Sequence, residues 1–137
     1  MAKMSIDAIQ RFLKREFPHR PITVESLGRG SARLHYEVSA ADLRPGRTIS
    51  GPTMMALADA ATYVAILGEK GLVAGAVTSS LNIHFLRKPA AHRPLRAEAT
   101  LLKLGTRLAV AEVRITAEGS EELLAQASVT YALPQGG

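Results

Sequence analysis

Cysteine and tryptophan are absent from the 137 residues. Without a thiol there is no disulfide framework, no thiolate metal site and no cysteine nucleophile. Aromatic residues are few, three Tyr and three Phe, and they are scattered. Proteins that bind single-stranded nucleic acid interleave basic residues with stacking aromatics. Here Lys and Arg occur singly or in pairs with no such platform, so nucleic acid is not the expected partner. Long apolar runs are missing as well. The most apolar stretch, Met54 to Leu67, spans 14 residues and contains Asp59, whereas a membrane helix needs about 20 apolar residues. The N-terminal segment has charge and helical periodicity but no uninterrupted apolar core of an export signal. Together these absences predict a cytoplasmic protein with no membrane contact.

What is present is the composition of a globular chain, 47% hydrophobic and 21% charged. A net charge of +5 favours a small polyanionic ligand. The length predicts one domain over 1–137, with a helix inside 1–18 and a frayed tail at 134–137.

Ile6, Ile9, Leu13 and Phe17 recur at spacings of three and four after Ser5, a good N-cap. The pattern predicts an amphipathic helix over 5–16, ended by Pro18. Residues 22–27 read as a short strand and 33–38 as an alternating, half-buried one, with Gly28-Arg29-Gly30 as the hairpin signal between them. No helix follows those glycines, so they are not a dinucleotide loop. Residues 40–49 read as a loop. Ser50 then caps a helix of about 17 residues, with Pro52 in its first turn and Gly68 as its stop or close to its end. That helix is apolar on every side and rich in alanine, which predicts burial all round and close packing against its backbone. Strands are expected over 76–85, 95–104, 108–117 and 123–133. A helix that is apolar all round, followed by strands on short turns, predicts an α+β fold in which a curved antiparallel sheet wraps one long central helix.

Two segments then resemble the hotdog-fold acyl-CoA thioesterases of the phenylacetate-degradation, PaaI-like type. SGPTMMALADAA, from Ser50 to Ala61, is similar to the family's His-Gly-Gly followed seven positions later by an acid on the central helix. VTSSLNIHFLRKPA, from Val77 to Ala90, resembles its Thr-x-x-Leu-x-Ile-x-Phe-Leu-Arg-Pro-Ala strand. The long hairpin and the final strand ending in ASVTYALP resemble its C-terminal half. The sequence departs from the pattern at Ser50, where the motif has histidine, and at Pro52, where it has a second glycine. No asparagine stands near Arg44 to Arg47, where the family often carries one.

The resemblance implies hydrolysis of an acyl-CoA thioester without metal or cofactor, in a homodimer or dimer of dimers. It implies that Asp59 is the catalytic acid. Asp59 is the only charged residue between Arg47 and Glu69, and a carboxylate in an apolar helix needs a partner or a function. It can deprotonate water or attack the thioester itself. Gly51, at the helix start where N–H groups are free, would supply the oxyanion contact. Thr78 matches a position that orients water or the acid. Ser50, Pro52 and Met55 would border the substrate, with Met54 and Leu57 lining the acyl tunnel. Arg87 and Lys88 would hold coenzyme A phosphates, unless they are plain strand-end charges. Gly51 and Asp59 are eight residues apart, or about 12 Å along a helix axis, so one thioester can meet both only if they come from different subunits. Two other readings stand beside this one. A hotdog hydratase would need a histidine on the helix, and there is none. A non-catalytic or very slow hotdog protein that binds acyl-CoA or another metabolite would fit the loss of the motif histidine. The four histidines, His19, His35, His84 and His92, show no metal-ligand spacing.

Overall fold

Ser5 begins the first helix as expected, its Oγ accepting the Ala8 N–H at 3.1 Å. In the computed structural model, which describes residues 4–73 and 75–134, helix α1 runs Ile6–Glu16. It ends at Phe17, whose N–H returns to the Leu13 carbonyl at 2.8 Å just before Pro18. Ile9 and Leu13 are buried beneath it.

Strand β1 (Ile22–Gly28) pairs with β2 (Ser31–Tyr36) through the two-residue turn Arg29-Gly30, with Gly30 at φ 63. That tight turn starts β2 two residues earlier than the sequence pattern predicts. Gln10 of α1 holds the outer side of β1: its Nε2 donates to the Ile22 carbonyl and its Oε1 accepts the Val24 N–H, both at 2.8 Å. The side-chain amide thus does the work of a neighbouring strand and blunts an exposed edge.

The segment expected to be one loop contains a 3-10 turn at Ala40–Asp42 and a two-strand ribbon, β3 (Leu43–Arg44) with β4 (Thr48–Ile49). Helix α2 follows as Gly51–Lys70. Gly68 lies close to its end, as expected, and the helix runs on to Lys70. Gly71 ends it at φ 78, a conformation that glycine adopts without strain, with its N–H on the Leu67 carbonyl at 2.8 Å. Leu27 packs over Gly68 at a distance that would also admit a methyl group.

Strands β5 (Val77–Phe85), β6 (Leu95–Leu104), β7 (Leu108–Ala117) and β8 (Leu123–Ala132) complete the fold. One six-stranded sheet forms in the order β1-β2-β6-β7-β8-β5, antiparallel throughout. The tail expected to fray at 134–137 lies, for 135–137, outside the described residues.

The sheet curves round α2. Leu57, Val64, Ile66 and Leu67 of the helix are buried against an inner face whose small residues, Ala97, Ala99, Ala111, Ala125 and Ala127, leave room for it. Each large side chain buried this way contributes roughly 1.5–3 kcal/mol. The expectation of a helix buried all round is overturned. Pro52 and Met55 are exposed, and Ala56, Asp59 and Tyr63 are only partly covered. Their spacing of three and four puts them on one stripe. The sheet covers the other sides and leaves this one open, because the neighbouring strand, β5, is its last. Beyond β5 no strand is paired among the described residues, and Val77 and Phe85 on it are exposed.

Candidate functional site

Asp59 sits midway along α2 on the open stripe. Thr78 Oγ1 donates to its Oδ1 at 2.5 Å, and the Tyr131 phenol donates to the same oxygen at 3.0 Å. Among the described residues Oδ2 has no hydrogen-bond partner. The carboxylate is therefore neither loose in water nor locked into an ion pair.

Thr78 reaches Asp59 because of an irregularity in β5. Cross-strand partners face the same side of a sheet. Leu81, Ile83 and Phe85 pair with Val129, Ala127 and Ala125 of the buried face, and regular alternation would turn Thr78 outward. A bulge between Thr78 and Ser80 inserts one residue and reverses the alternation. Thr78 then stands opposite Tyr131, on the helix side.

Next to Asp59 lies a cavity of about 130 Å³. Leu13, Ile22, Ala56, Tyr63 and Tyr131 make it largely apolar, and Phe17 and Arg20 of the α1–β1 link close it. The predicted tunnel residues are elsewhere. Leu57 and Met54 are buried in the core, and Met55 is 39% exposed on the open stripe, apart from the cavity wall. Burial first, and the nearby Asp59 charge second, push the Tyr131 phenol far above its usual range, so it remains a donor.

The start of α2 is held by a second acid. Asp42 is only 6% exposed. It accepts from the Tyr36 phenol at 2.9 Å, the Ser39 N–H at 2.9 Å and Thr53 Oγ1 at 3.1 Å. Its own carbonyl accepts the Ser50 N–H at 2.7 Å. Burial, and then the bond to Asp42, raise the Tyr36 phenol above its ordinary value. Ser50 caps the helix through the Thr53 N–H at 3.2 Å. The Gly51 N–H, one step on, has no partner among the described residues. A cleft of about 390 Å³ opens here between Gly51, Met54, Phe85, Arg87 and Lys88. The Phe85 ring covers the glycine so closely that a Cβ there would stand 3.2 Å from Cζ.

Of the residues singled out in the sequence, Asp59 and Thr78 are brought together. Gly51, Arg87 and Lys88 share the second cleft, and no residue lines both it and the Asp59 cavity. Ser50 and Pro52 border a third, wider hollow of about 560 Å³ next to Asp42. Arg87 is partly committed within the chain: its Nη1 donates to the Leu123 carbonyl at 3.0 Å and its Nε lies 3.2 Å from Glu122. Lys88 is exposed. Tyr131 and Asp42 carried no signal in the sequence. Tyr131 is one alternate residue in a strand, and Asp42 is one acid in a polar loop. Among the described residues no group of three His, Asp or Glu side chains is placed to hold a metal ion, and no helix is long and apolar enough to cross a membrane.

Residues 46–124 match the family model of the thioesterase superfamily. None of the curated proteins matches the chain significantly. Among solved structures, a thioesterase candidate from Silicibacter sp. is 37% identical over 96% of this chain and 92% of that one, with a TM-score of 0.87. The PaaI protein of the Escherichia coli phenylacetic acid degradation operon is 26% identical over 92% of this chain and 88% of its own, at 0.73. A point variant of the phenylacetic acid degradation protein PaaI from Thermus thermophilus is 26% identical over 90% and 99%, at 0.72.

Proposed function

The chain belongs to the thioesterase superfamily, as a hotdog thioesterase of the PaaI-like type, and from that premise we propose that it hydrolyses acyl-CoA thioesters with Asp59 as the reacting carboxylate. The observation that carries this reading is the free Oδ2 of Asp59 beside an apolar cavity, its other oxygen held by two hydroxyls. Water adds to the thioester carbon, the C–S bond breaks, and a free acid and the coenzyme A thiol leave. Asp59 acts either as the base that takes the proton from water or as the nucleophile whose acyl anhydride water then cleaves. Both routes place negative charge on the carbonyl oxygen. The unpartnered Gly51 N–H at the positive end of α2 suits that charge.

In this proposal the two groups that act on one substrate come from two subunits. Eight residues along one helix separate Gly51 and Asp59 by about 12 Å, and their cavities share no wall. The open stripe of α2 and the unpaired edge of β5 lie together, which supports a second copy covering both. A two-fold dimer would then form two equivalent sites. Arg87 and Lys88, in the Gly51 cleft, would meet the phosphates of coenzyme A.

Two observations favour a slower protein that binds acyl-CoA or another metabolite without efficient turnover: Phe85 covers Gly51, and Ser50 stands where the family motif has histidine. Thiol release from a panel of acyl-CoAs, measured beside a binding titration, separates the two. Turnover that Asp59→Asn lowers at least about 100-fold, with affinity kept, supports hydrolysis by this acid. Binding without turnover supports the second reading, and unchanged turnover in the variant removes Asp59 from the reaction. Mixing Asp59→Asn with a Gly51→Val protein should restore part of the activity through hybrid sites. No recovery after verified subunit exchange counts against a shared site.

A further inference from the structure

The two hydroxyls on Asp59 come from neighbouring strands, but they are not equally free to move. Thr78 is on the exposed edge strand. Tyr131 is on the interior strand β8 and is 4% exposed. Its ring lies flat on Tyr63 of α2, with centroids 5.7 Å apart and planes 7° from parallel. Tyr63 meets Phe12 of α1 at 6.0 Å. The phenol oxygen is thus fixed by a ladder of three rings before it meets the carboxylate. It stands 3.0 Å from Oδ1 and 3.3 Å from the Asp59 main-chain carbonyl.

A carboxylate oxygen has two lone pairs to offer donors. Thr78 and Tyr131 occupy both on Oδ1. Rotating the carboxyl to exchange its oxygens would break two hydrogen bonds to a charged group at once, each among the stronger kinds. We propose that Tyr131 is a positioning residue: with Thr78 it fixes Oδ1 and presents Oδ2 as the oxygen that reacts. This rests on the reading of Asp59 as the reacting group. Burial keeps the phenol protonated well beyond neutrality, so the donor is present throughout the working range of pH. Phe12 and Tyr63 extend the support, so the N-terminal helix is coupled to the posture of the acid.

The test is Tyr131→Phe, which keeps the stacked ring and the cavity wall and removes only the hydroxyl. Kinetics are measured with whichever of acetyl-, hexanoyl- and benzoyl-CoA the unaltered protein hydrolyses fastest. The expected result is a kcat lowered about tenfold, the loss of about 1.4 kcal/mol of transition-state alignment, with KM within about twofold and the melting temperature nearly unchanged. Thr78→Val should act in the same direction and Thr78→Ser should not. The double variant Tyr131→Phe/Thr78→Val should fall to the level of Asp59→Asn. An inactive Asp59→Asn beside a Tyr131→Phe protein of normal kcat overturns this inference and leaves the proposed function standing. So does a Tyr131→Phe protein whose only defect is a lowered melting temperature. An active Asp59→Asn, or no turnover of any of the three substrates, removes the proposed function and this inference with it.

Discussion

Replacing Asp42 by alanine should unfold the junction that holds the start of α2. The carboxylate accepts hydrogen bonds from Tyr36, Ser39 and Thr53, and two of these donors, Tyr36 and Thr53, are themselves buried. Truncation strips the buried Tyr36 hydroxyl of its acceptor, at roughly 1–3 kcal/mol, whereas the Thr53 hydroxyl keeps Ser50 Oγ at 2.8 Å. The adjoining hollow admits water, which can satisfy part of that demand. The upper end of the range therefore does not apply, and the net cost is about 2 kcal/mol. For a chain of this length about 4 °C accompanies each kcal/mol, so the melting temperature should drop by about 8 °C. Asp42→Asn, which keeps an acceptor oxygen, should lose less than half of this. The assay is urea denaturation followed by far-ultraviolet circular dichroism, with thermal melts beside it. A loss below about 1 kcal/mol for Asp42→Ala, no more than an average point substitution costs, would refute the argument that this acid fastens the helix. Tyr36→Phe gives an internal check, because it removes one donor and leaves none stranded. It should cost less than the alanine variant does.

Alkaline stability follows from the tyrosines. Burial raises Tyr36, Tyr63 and Tyr131 above the ordinary value of 10.0. Below pH 10 both folded and unfolded chains keep these protons, and their contribution to stability is whole. Above it the unfolded chain ionises first, so stability falls as pH rises towards the folded values. Unfolding in urea at pH 9 and pH 11 should show a smaller loss for Tyr131→Phe than for the unaltered chain, and equal losses would contradict this. Replacing Arg87 and Lys88 together by glutamine should raise KM for acyl-CoA by about tenfold, as loss of a charge-assisted phosphate contact would. Substrates lacking the nucleotide should be unaffected, and an equal change for both kinds makes the pair a feature of strand packing, consistent with the bond from Arg87 to Glu122.

Local pattern carried much of the fold. The apolar spacing of Ile9 and Leu13, the Ser5 and Ser50 caps and the Gly105-Thr106-Arg107 turn each act over a few residues, and each lies where the sequence indicates. What failed depended on long-range partners. The side of α2 around Met55 reads as buried like the rest, but the sheet ends at β5 and leaves it open. The loop at 40–49 looks featureless until Tyr36 and Thr53, brought from either side, converge on Asp42. At the site the same division holds. Asp59 stands out in the sequence because it is a charge in an apolar helix, and Thr78 was legible through the family motif. That Thr78 faces Asp59 was not legible, since it depends on a bulge that alternation alone would deny. Tyr131 was hidden for a related reason: a tyrosine in a half-buried strand is ordinary until the helix packed on it is known to place a carboxylate there.

Two polar fastenings divide the labour along α2. At its start, Asp42 binds the helix to β2 and to the turn before it, which fixes the direction of the free Gly51 N–H. Midway, Tyr131 binds Asp59 to the interior of the sheet. Both contacts are buried or nearly so, and both tie the helix to strands on its covered side. The stripe between them, with Pro52, Met55 and Ala56, carries no such tie and is formed by side chains with little polar demand of their own. A surface of this kind can receive another apolar surface without first giving up hydrogen bonds, so the cost of covering it is small. The groups with exacting geometry are therefore set by the chain itself, while the area between them is left for contact. This is how a helix can hold an acid in a defined posture and still leave an apolar stripe of its face open.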